Sequence, residues 1–256
     1  MKRITLALII FFSVVINLQA GNQVSTFNIV FIGNSITEGS NFKDPSTQAP
    51  PATTVKYLNE HNCQVQFANC GVSGSTTVDF LPSSQKLFPK VIAAADSFYQ
   101  KELALIFSIK LGTNDSAIKG PNGSPVSPEE YKKNMLLIID SLLIRYPKSH
   151  IVLHCPIWYS PNTHNGSLYM AEGLARLQTY VPQIFAICKL NPTRVFIGDR
   201  KAYNFFKNNY KQYLRAENGN SGTFYLHPNV QGAEKLGEFW GIAIQKQFKQ
   251  YVASKK

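Results

Sequence analysis

Apolar runs alternate with amphipathic stretches along most of this chain, and that alternation predicts its fold. Residues 29–33 are all apolar or glycine, and Gly33 closes the run. A run of that length ended by glycine reads as a strand buried on both faces. The stretches 64–69, 103–111, 151–154 and 194–197 predict four more strands, the second of them the most apolar. Helices are predicted over 52–60, 87–95, 167–188 and 201–214. Ser127-Pro128-Glu129-Glu130 forms a capping box with proline at the first helical position. The helix it starts should run to about Tyr146, with Met135, Ile138, Ile139 and Leu142 along one face. Asn229 can cap a last helix whose Leu236, Phe239, Trp240, Ala243 and Ile244 share a face. The segments 41–51, 156–165 and 217–222 read as loops. Strand and helix in turn predict an α/β fold with a five-stranded parallel sheet between helices.

A length of 256 residues suits one domain with a sizeable core, and no repeat or linker divides residues 21–256. Hydrophobic content of 44% and charged content of 16% exclude a disordered chain. The first twenty residues differ from the rest. Lys2 and Arg3 precede an apolar run over 4–16, and Leu18-Gln19-Ala20 ends on a small residue. This is the pattern of a secretory signal peptide over 1–20, so export by a bacterium to the periplasm or exterior is expected. The run is short for a bilayer span, and no stable membrane insertion is expected after cleavage. Losing Lys2 and Arg3, with no acid in the leader, lowers the net charge from +11 to +9. That balance suits an acidic glycan or an anionic surface, whereas no nucleic-acid motif accompanies it.

Cys63 and Cys70 bracket a predicted strand that would hold them about 23 Å apart, too far to bridge. Cys155 and Cys188 show no legible pairing, and no C-x-x-C spacing suggests a metal. Neither a metal nor a cofactor is expected.

Candidate chemistry falls just after predicted strand ends, where open α/β sheets bind their ligands. Ser35 follows the first strand and is the candidate nucleophile. His227 sits between a turn and a helix, and its neutral imidazole can act as base near pH 7. Gly74 could present an unobstructed backbone N–H and Asn114 an amide N–H to an oxyanion. Glu38 and Asp115 read as hydrogen-bonding braces for loops. Gly71-Val72-Ser73-Gly74-Ser75 lacks the final glycine of a nucleophile elbow, so Ser73 reads as a loop residue. His154, Trp158, Tyr159 and His164 are candidates for a wall against which a sugar stacks, or for ordinary packing. His61 and His150 read as surface loop residues.

These islands resemble the SGNH (GDSL-type) hydrolases. Gly33-Asn34-Ser35-Ile36-Thr37-Glu38-Gly39 resembles the first block, with Asn34 where the family usually has aspartate. Val72-Ser73-Gly74-Ser75-Thr76, Gly112-Thr113-Asn114-Asp115 and His227-Pro228-Asn229 resemble the other three, in order, over about residues 28–245. The resemblance implies a three-layer, flavodoxin-like α/β/α sandwich, and an oxyanion hole made of the Ser35 N–H, the Gly74 N–H and the Asn114 side chain. It also implies an aspartate three residues before the histidine, to hold the imidazole in one tautomer. That position is Phe224. The expectation is therefore a Ser35–His227 dyad whose imidazole is oriented by a backbone carbonyl near residues 222–225. A carboxylate such as Glu217 would need a longer loop reach.

The reaction implied is ester hydrolysis through an acyl-enzyme on Ser35. Residues 198–202 and 222–229 resemble the exported sialate O-acetylesterases of glycan-foraging bacteria, which implies an O-acetylated sialic acid as substrate. The alternatives are an acetylesterase for xylan or other neutral glycans, a lysophospholipase or thioesterase, and a non-catalytic carbohydrate-binding module on the same fold. Activity should fall below about pH 6, where an imidazole base takes up a proton.

Overall fold

The computed structural model describes residues 24–254 apart from Asn41, residues 100–102 and Asn165. The predicted leader at 1–20 lies outside the described residues. In chain order the first half comprises β1 (Ser25–Gly33), α1 (Ser35–Glu38), α2 (Pro45–Gln48), α3 (Pro50–Glu60), β2 (Cys63–Asn69), α4 (Phe88–Phe98), β3 (Ala104–Lys110) and α5 (Pro128–Arg145). Then follow β4 (His150–Leu153), β5 (Thr163–His164), β6 (Ser167–Leu168), α6 (Met170–Leu190), β7 (Val195–Ile197), α7 (Ala202–Tyr213), β8 (Leu214–Gly219), β9 (Gly222–Pro228) and α8 (Val230–Ser254).

Five strands form one parallel sheet in the order β2-β1-β3-β4-β7. This is the flavodoxin-like order, and helices cover both faces. Trp240 of α8 stacks on Phe31 of β1 at 6.2 Å between centroids, while Tyr146 at the end of α5 packs on Phe107 of β3 from the other side. β1 is buried from Phe27 to Gly33 because it lies second in the sheet, with both edges paired and both faces covered. Its one polar interruption is satisfied: Asn28 Nδ2 donates to the Phe98 carbonyl at 3.0 Å. The serine cap forms, as Ser127 Oγ accepts from the Glu130 N–H at 3.1 Å, while the Glu130 carboxylate pairs with Lys133 at 3.5 Å.

Several expectations change. The 217–222 segment is not a loop. It belongs to the antiparallel hairpin β8–β9, outside the main sheet and closed by a two-residue turn at Asn220-Ser221. His150 is not on the surface but starts β4, buried and stacked on Phe196 at 5.8 Å. His154 is a core residue stacked on Trp240. Its Nδ1 accepts from the Asp199 N–H at 3.0 Å, so Nε2 carries the hydrogen and donates to Ser108 Oγ at 2.9 Å. Burial, then the nearby Lys110, lowers its pKa to about 3 and keeps it neutral. The four cysteines form no disulfide.

Lys110 ends β3 inside the protein, with Nζ donating to Thr113 Oγ1 at 3.0 Å. Burial lowers its pKa from 10.5 to about 7. Below that value the folded and unfolded chains both carry the proton, and the cost of burying the charge is fully present. Between about 7 and 10.5 only the unfolded chain carries it, so this contribution to stability rises with pH by about 1.4 kcal/mol per unit. Lys110→Met is therefore expected to raise Tm over the parent at pH 7 and to lose that advantage by pH 10. Calorimetry across that range checks it; an advantage independent of pH would contradict the assignment.

Candidate active site

The chain leaves the carboxyl ends of β1 and β3, which are adjacent strands, to build the site at the switch point of the sheet. After β1, Asn34 caps the single turn α1: its Oδ1 accepts from the Ile36 N–H at 3.2 Å. Asparagine caps as well as aspartate does, so the departure from the family letter keeps the turn. Ser35 is the first residue of that turn, a position whose backbone N–H has no acceptor within the helix.

The Ser35 hydroxyl lies 2.8 Å from His227 Nε2, although 192 positions separate them in the chain. On the far side of the ring, His227 Nδ1 lies 2.9 Å from each carboxylate oxygen of Glu217. A carboxylate only accepts, so Nδ1 carries the hydrogen and Nε2 is left to accept from the Ser35 O–H. This corrects the expectation of a backbone carbonyl as orienter: the group on the imidazole is a side-chain carboxylate. Both side chains are largely buried, at 9% exposure for His227 and 14% for Glu217, so water weakens the pair little.

The hairpin explains how an acid reaches that ring when Phe224 replaces the usual aspartate. Glu217 pairs directly with Phe224 across β8–β9. Opposed residues project on the same face, so the carboxylate comes from the partner strand at the level where the family's acid would stand. Leu214 opposes Pro228 while Ala216 opposes Tyr225, which leaves one extra residue in β9. Such a bulge re-aims side chains, and it turns His227 onto the face of Glu217. Phe224 is buried against Tyr169 at 5.5 Å instead.

Asn114 is buried, and its amide is held from both ends. Nδ2 donates to the Ser75 carbonyl at 2.8 Å, and Oδ1 accepts from Tyr169 O–H at 2.7 Å. Those partners fix which end is nitrogen and leave its second N–H for a ligand. Burial, then the charge of Glu217, raises the Tyr169 pKa, so its hydroxyl stays a donor. Gly74 has φ +73, the left-handed region that glycine adopts at no steric cost. Its loop is braced by Glu38 Oε2, which accepts from the N–H (2.8 Å) and the hydroxyl of Ser73. Asp115 Oδ1 accepts from the Thr77 N–H at 2.8 Å, and burial raises its pKa to about 6. Both acids stand as loop braces.

Ser35, Gly74, Asn114, Glu217 and His227 line one pocket of about 320 Å³, with Ser40, Ser73, Ser167, Pro121, Tyr169 and Leu226. Trp158 and Tyr159 do not. They are buried, Trp158 against Tyr210 at 5.2 Å and Tyr159 bonded to Ser116 Oγ at 2.8 Å, which corrects their assignment to a sugar-stacking wall. His164 belongs to β5. Among the described residues no cluster of His, Cys, Asp and Glu could hold a metal ion. Sequence reasoning passed over Tyr169 altogether and set Glu217 aside. The signal for Glu217 was present in Asn218-Gly219-Asn220-Ser221-Gly222, turn residues between two runs that can pair as a hairpin.

A hydroxyl, an imidazole and a carboxylate in line beside amide donors make the arrangement of a serine hydrolase. The chain belongs to the GDSL-like lipase/acylhydrolase family, whose model matches residues 31–235, and is thus a carboxylic ester hydrolase by family. No curated protein matches it. Among solved structures it is similar to a carbohydrate acetylesterase from Sinorhizobium meliloti, with 16% identity, TM-score 0.56, and 86% of this chain and 98% of that one covered. It is also similar to the native M. smegmatis aryl esterase, with 15% identity, TM-score 0.57, and 88% and 99% covered. At such identities the likeness is one of fold.

Two substitutions probe this geometry. Glu217→Gln removes the acceptor charge and is expected to lower kcat by about 10²–10⁴-fold with the fold retained. Tyr169→Phe unties one end of the Asn114 amide and is expected to lower kcat about 10-fold, the worth of one buried hydrogen bond. Steady-state rates on p-nitrophenyl acetate, with circular dichroism as the folding control, check both.

Proposed function

We propose that the protein is a carbohydrate O-acetylesterase working through an acetyl-enzyme on Ser35. The observation that carries this reading is the unbroken chain Glu217–His227–Ser35, at 2.9 and 2.8 Å, opening on the pocket that holds Asn114. His227 Nε2 takes the Ser35 proton as Oγ attacks the ester carbonyl. The oxyanion that forms is met by the N–H groups of Ser35, Gly74 and Asn114. His227 then gives the proton to the leaving sugar oxygen. In the second half a water loses its proton to the same nitrogen and attacks the acetyl group, which releases acetate and restores Ser35.

Two features support a small acyl group and a hydroxyl-rich alcohol. A second, apolar notch beside Ser35 and His227, lined by Ile36, Gly39, Phe42 and Pro228, holds only about 10 Å³. That is room for about one water-sized group. The larger pocket is lined by Ser40, Ser73 and Ser167. A sugar fits the larger space and a methyl the smaller, whereas neither of these two spaces, as the described residues line them, is an apolar groove for a long acyl chain such as a lysophospholipid's.

For the particular sugar, the lining favours a neutral acetylated glycan, because no Lys or Arg is among the described residues of the pocket. The second reading, an O-acetylated sialic acid, is favoured by the net charge, +11 for the whole chain and +9 without the leader, and by the resemblance at 198–202 and 222–229. Export is part of the proposal too, resting on Lys2, Arg3 and the apolar run over 4–16.

Ser35→Ala is expected to abolish acetate release; undiminished release would place the reaction elsewhere. On p-nitrophenyl acetate, butyrate and octanoate, kcat/KM is expected to fall with chain length, and the reverse order would favour the lipase or thioesterase readings. Acetate release from acetylated xylan should exceed that from mono- and di-acetylated sialic acids. The opposite preference would make the acidic sugar the substrate and put its carboxylate outside this pocket.

A further inference from the structure

The hairpin that carries both Glu217 and His227 has no place in the main sheet, and an isolated two-stranded hairpin is marginal in water. At its base it is secured by the ends of its neighbouring helices. The Asn229 N–H donates to the Tyr213 carbonyl at 3.0 Å, and Asn229 Nδ2 to the Gln212 carbonyl at 2.7 Å. Glu217 lies three residues along β8 from that base and two from Gly219, where the turn begins.

What meets the turn end is the segment after Trp158 and Tyr159, the stretch first considered as a sugar wall. Ser160 N–H donates to the Tyr225 carbonyl at 2.9 Å, and the Tyr225 N–H donates back to Ser160 Oγ at 2.8 Å. Asn162 Nδ2 donates to the Ser221 and Thr223 carbonyls, both at 3.1 Å, and so spans the turn itself. The rest of Asn162 is committed to holding its own position. Its Oδ1 accepts from the Thr163 N–H at 2.8 Å, its N–H donates to the Ser160 carbonyl at 2.8 Å, and its carbonyl accepts from the Met170 N–H at 3.1 Å. The two segments approach so closely that a Cβ on Gly219 would lie 2.3 Å from the Thr163 carbonyl oxygen. Only glycine fits there.

We propose that Asn162 is a positioning residue: it fastens the turn of the hairpin so that the Glu217 carboxylate stays on His227 Nδ1. The proposal rests on the esterase reading of Ser35 and His227. Asn162 does not touch the reacting atoms. It acts through Glu217, which sits between the bulge that aims His227 and the turn that Asn162 holds. The same segment ends at Tyr169, which steadies the Asn114 amide. One stretch of chain therefore sets both the acid–base pair and an oxyanion donor.

A double-mutant cycle tests this, with kcat and KM on p-nitrophenyl acetate for the parent, Asn162→Ala, Glu217→Ala and the double variant. Asn162→Ala is expected to lower kcat about 10-fold with KM within about twofold. In the Glu217→Ala background the same change should cost less than about twofold, because no carboxylate remains to be held. Asn162→Asp keeps the size and the Thr163 contact but cannot donate to the Ser221 and Thr223 carbonyls. It should therefore behave like Asn162→Ala, and it serves in its place if the alanine variant fails to fold. Equal losses in both Glu217 backgrounds, a change confined to KM, or parental kcat in Asn162→Asp would each overturn the proposal. Activity surviving in Ser35→Ala would instead bring down the esterase reading, whatever the cycle gives.

Discussion

The bond between the Glu217 carboxylate and His227 Nδ1 is the interaction on which the site depends. It decides which ring nitrogen carries the hydrogen, and hence that Nε2 faces the Ser35 hydroxyl as an acceptor. Without it the imidazole could take either tautomer, and the Nε2–H form would offer serine a donor where it needs a base. Because the pair is largely shielded from water, its charge acts at close to full strength on the imidazolium that forms during the reaction.

Around that bond the fold divides its labour. The parallel sheet supplies rigidity: β1 and β3 are paired from Phe27–Ala104 to Gly33–Lys110 and deliver Ser35 and the Asn114 turn from adjacent strand ends. The hairpin supplies reach, since a base and its acid carried on paired strands keep their spacing even though neither belongs to the main sheet. Side chains outside the reacting set then remove freedom from those inside it. Tyr169 and the Ser75 carbonyl hold Asn114, Glu38 holds the Gly74 loop through Ser73, and Asp115 ties that loop's continuation at Thr77. A preformed set of donors needs little rearrangement when charge develops on the substrate, which is where such sites derive most of their rate.

The interior beneath the site is unusually polar for a sheet buried on both faces. Ser108, Lys110 and His154 share the side covered by Trp240, each with a hydrogen-bond partner, and burial keeps His154 neutral. Lys110 is the costly member of that layer, and it bonds Thr113, the neighbour of Asn114 in the chain.

Local patterning in the sequence was enough for the sheet, for its strand boundaries to within a residue except at the start of β1, and for the positions of Ser35, Gly74 and Asn114 after strand ends, whereas His227 lies within β9. Each depends on short-range signals: an apolar run closed by glycine, a capping box, or a small island after a strand. Trp158, Tyr159 and His154 read as wall or as packing, and His150 reads as a surface residue, because aromatic and imidazole groups look alike in sequence whether they face a ligand, solvent or a core. Glu217 was misjudged for a different reason. Its reach depends on which residue it opposes across a hairpin and on a bulge of one residue in the facing strand. Register is set by hydrogen bonds between strands, so composition and spacing do not encode it directly, and only the folded chain could put that carboxylate on the imidazole.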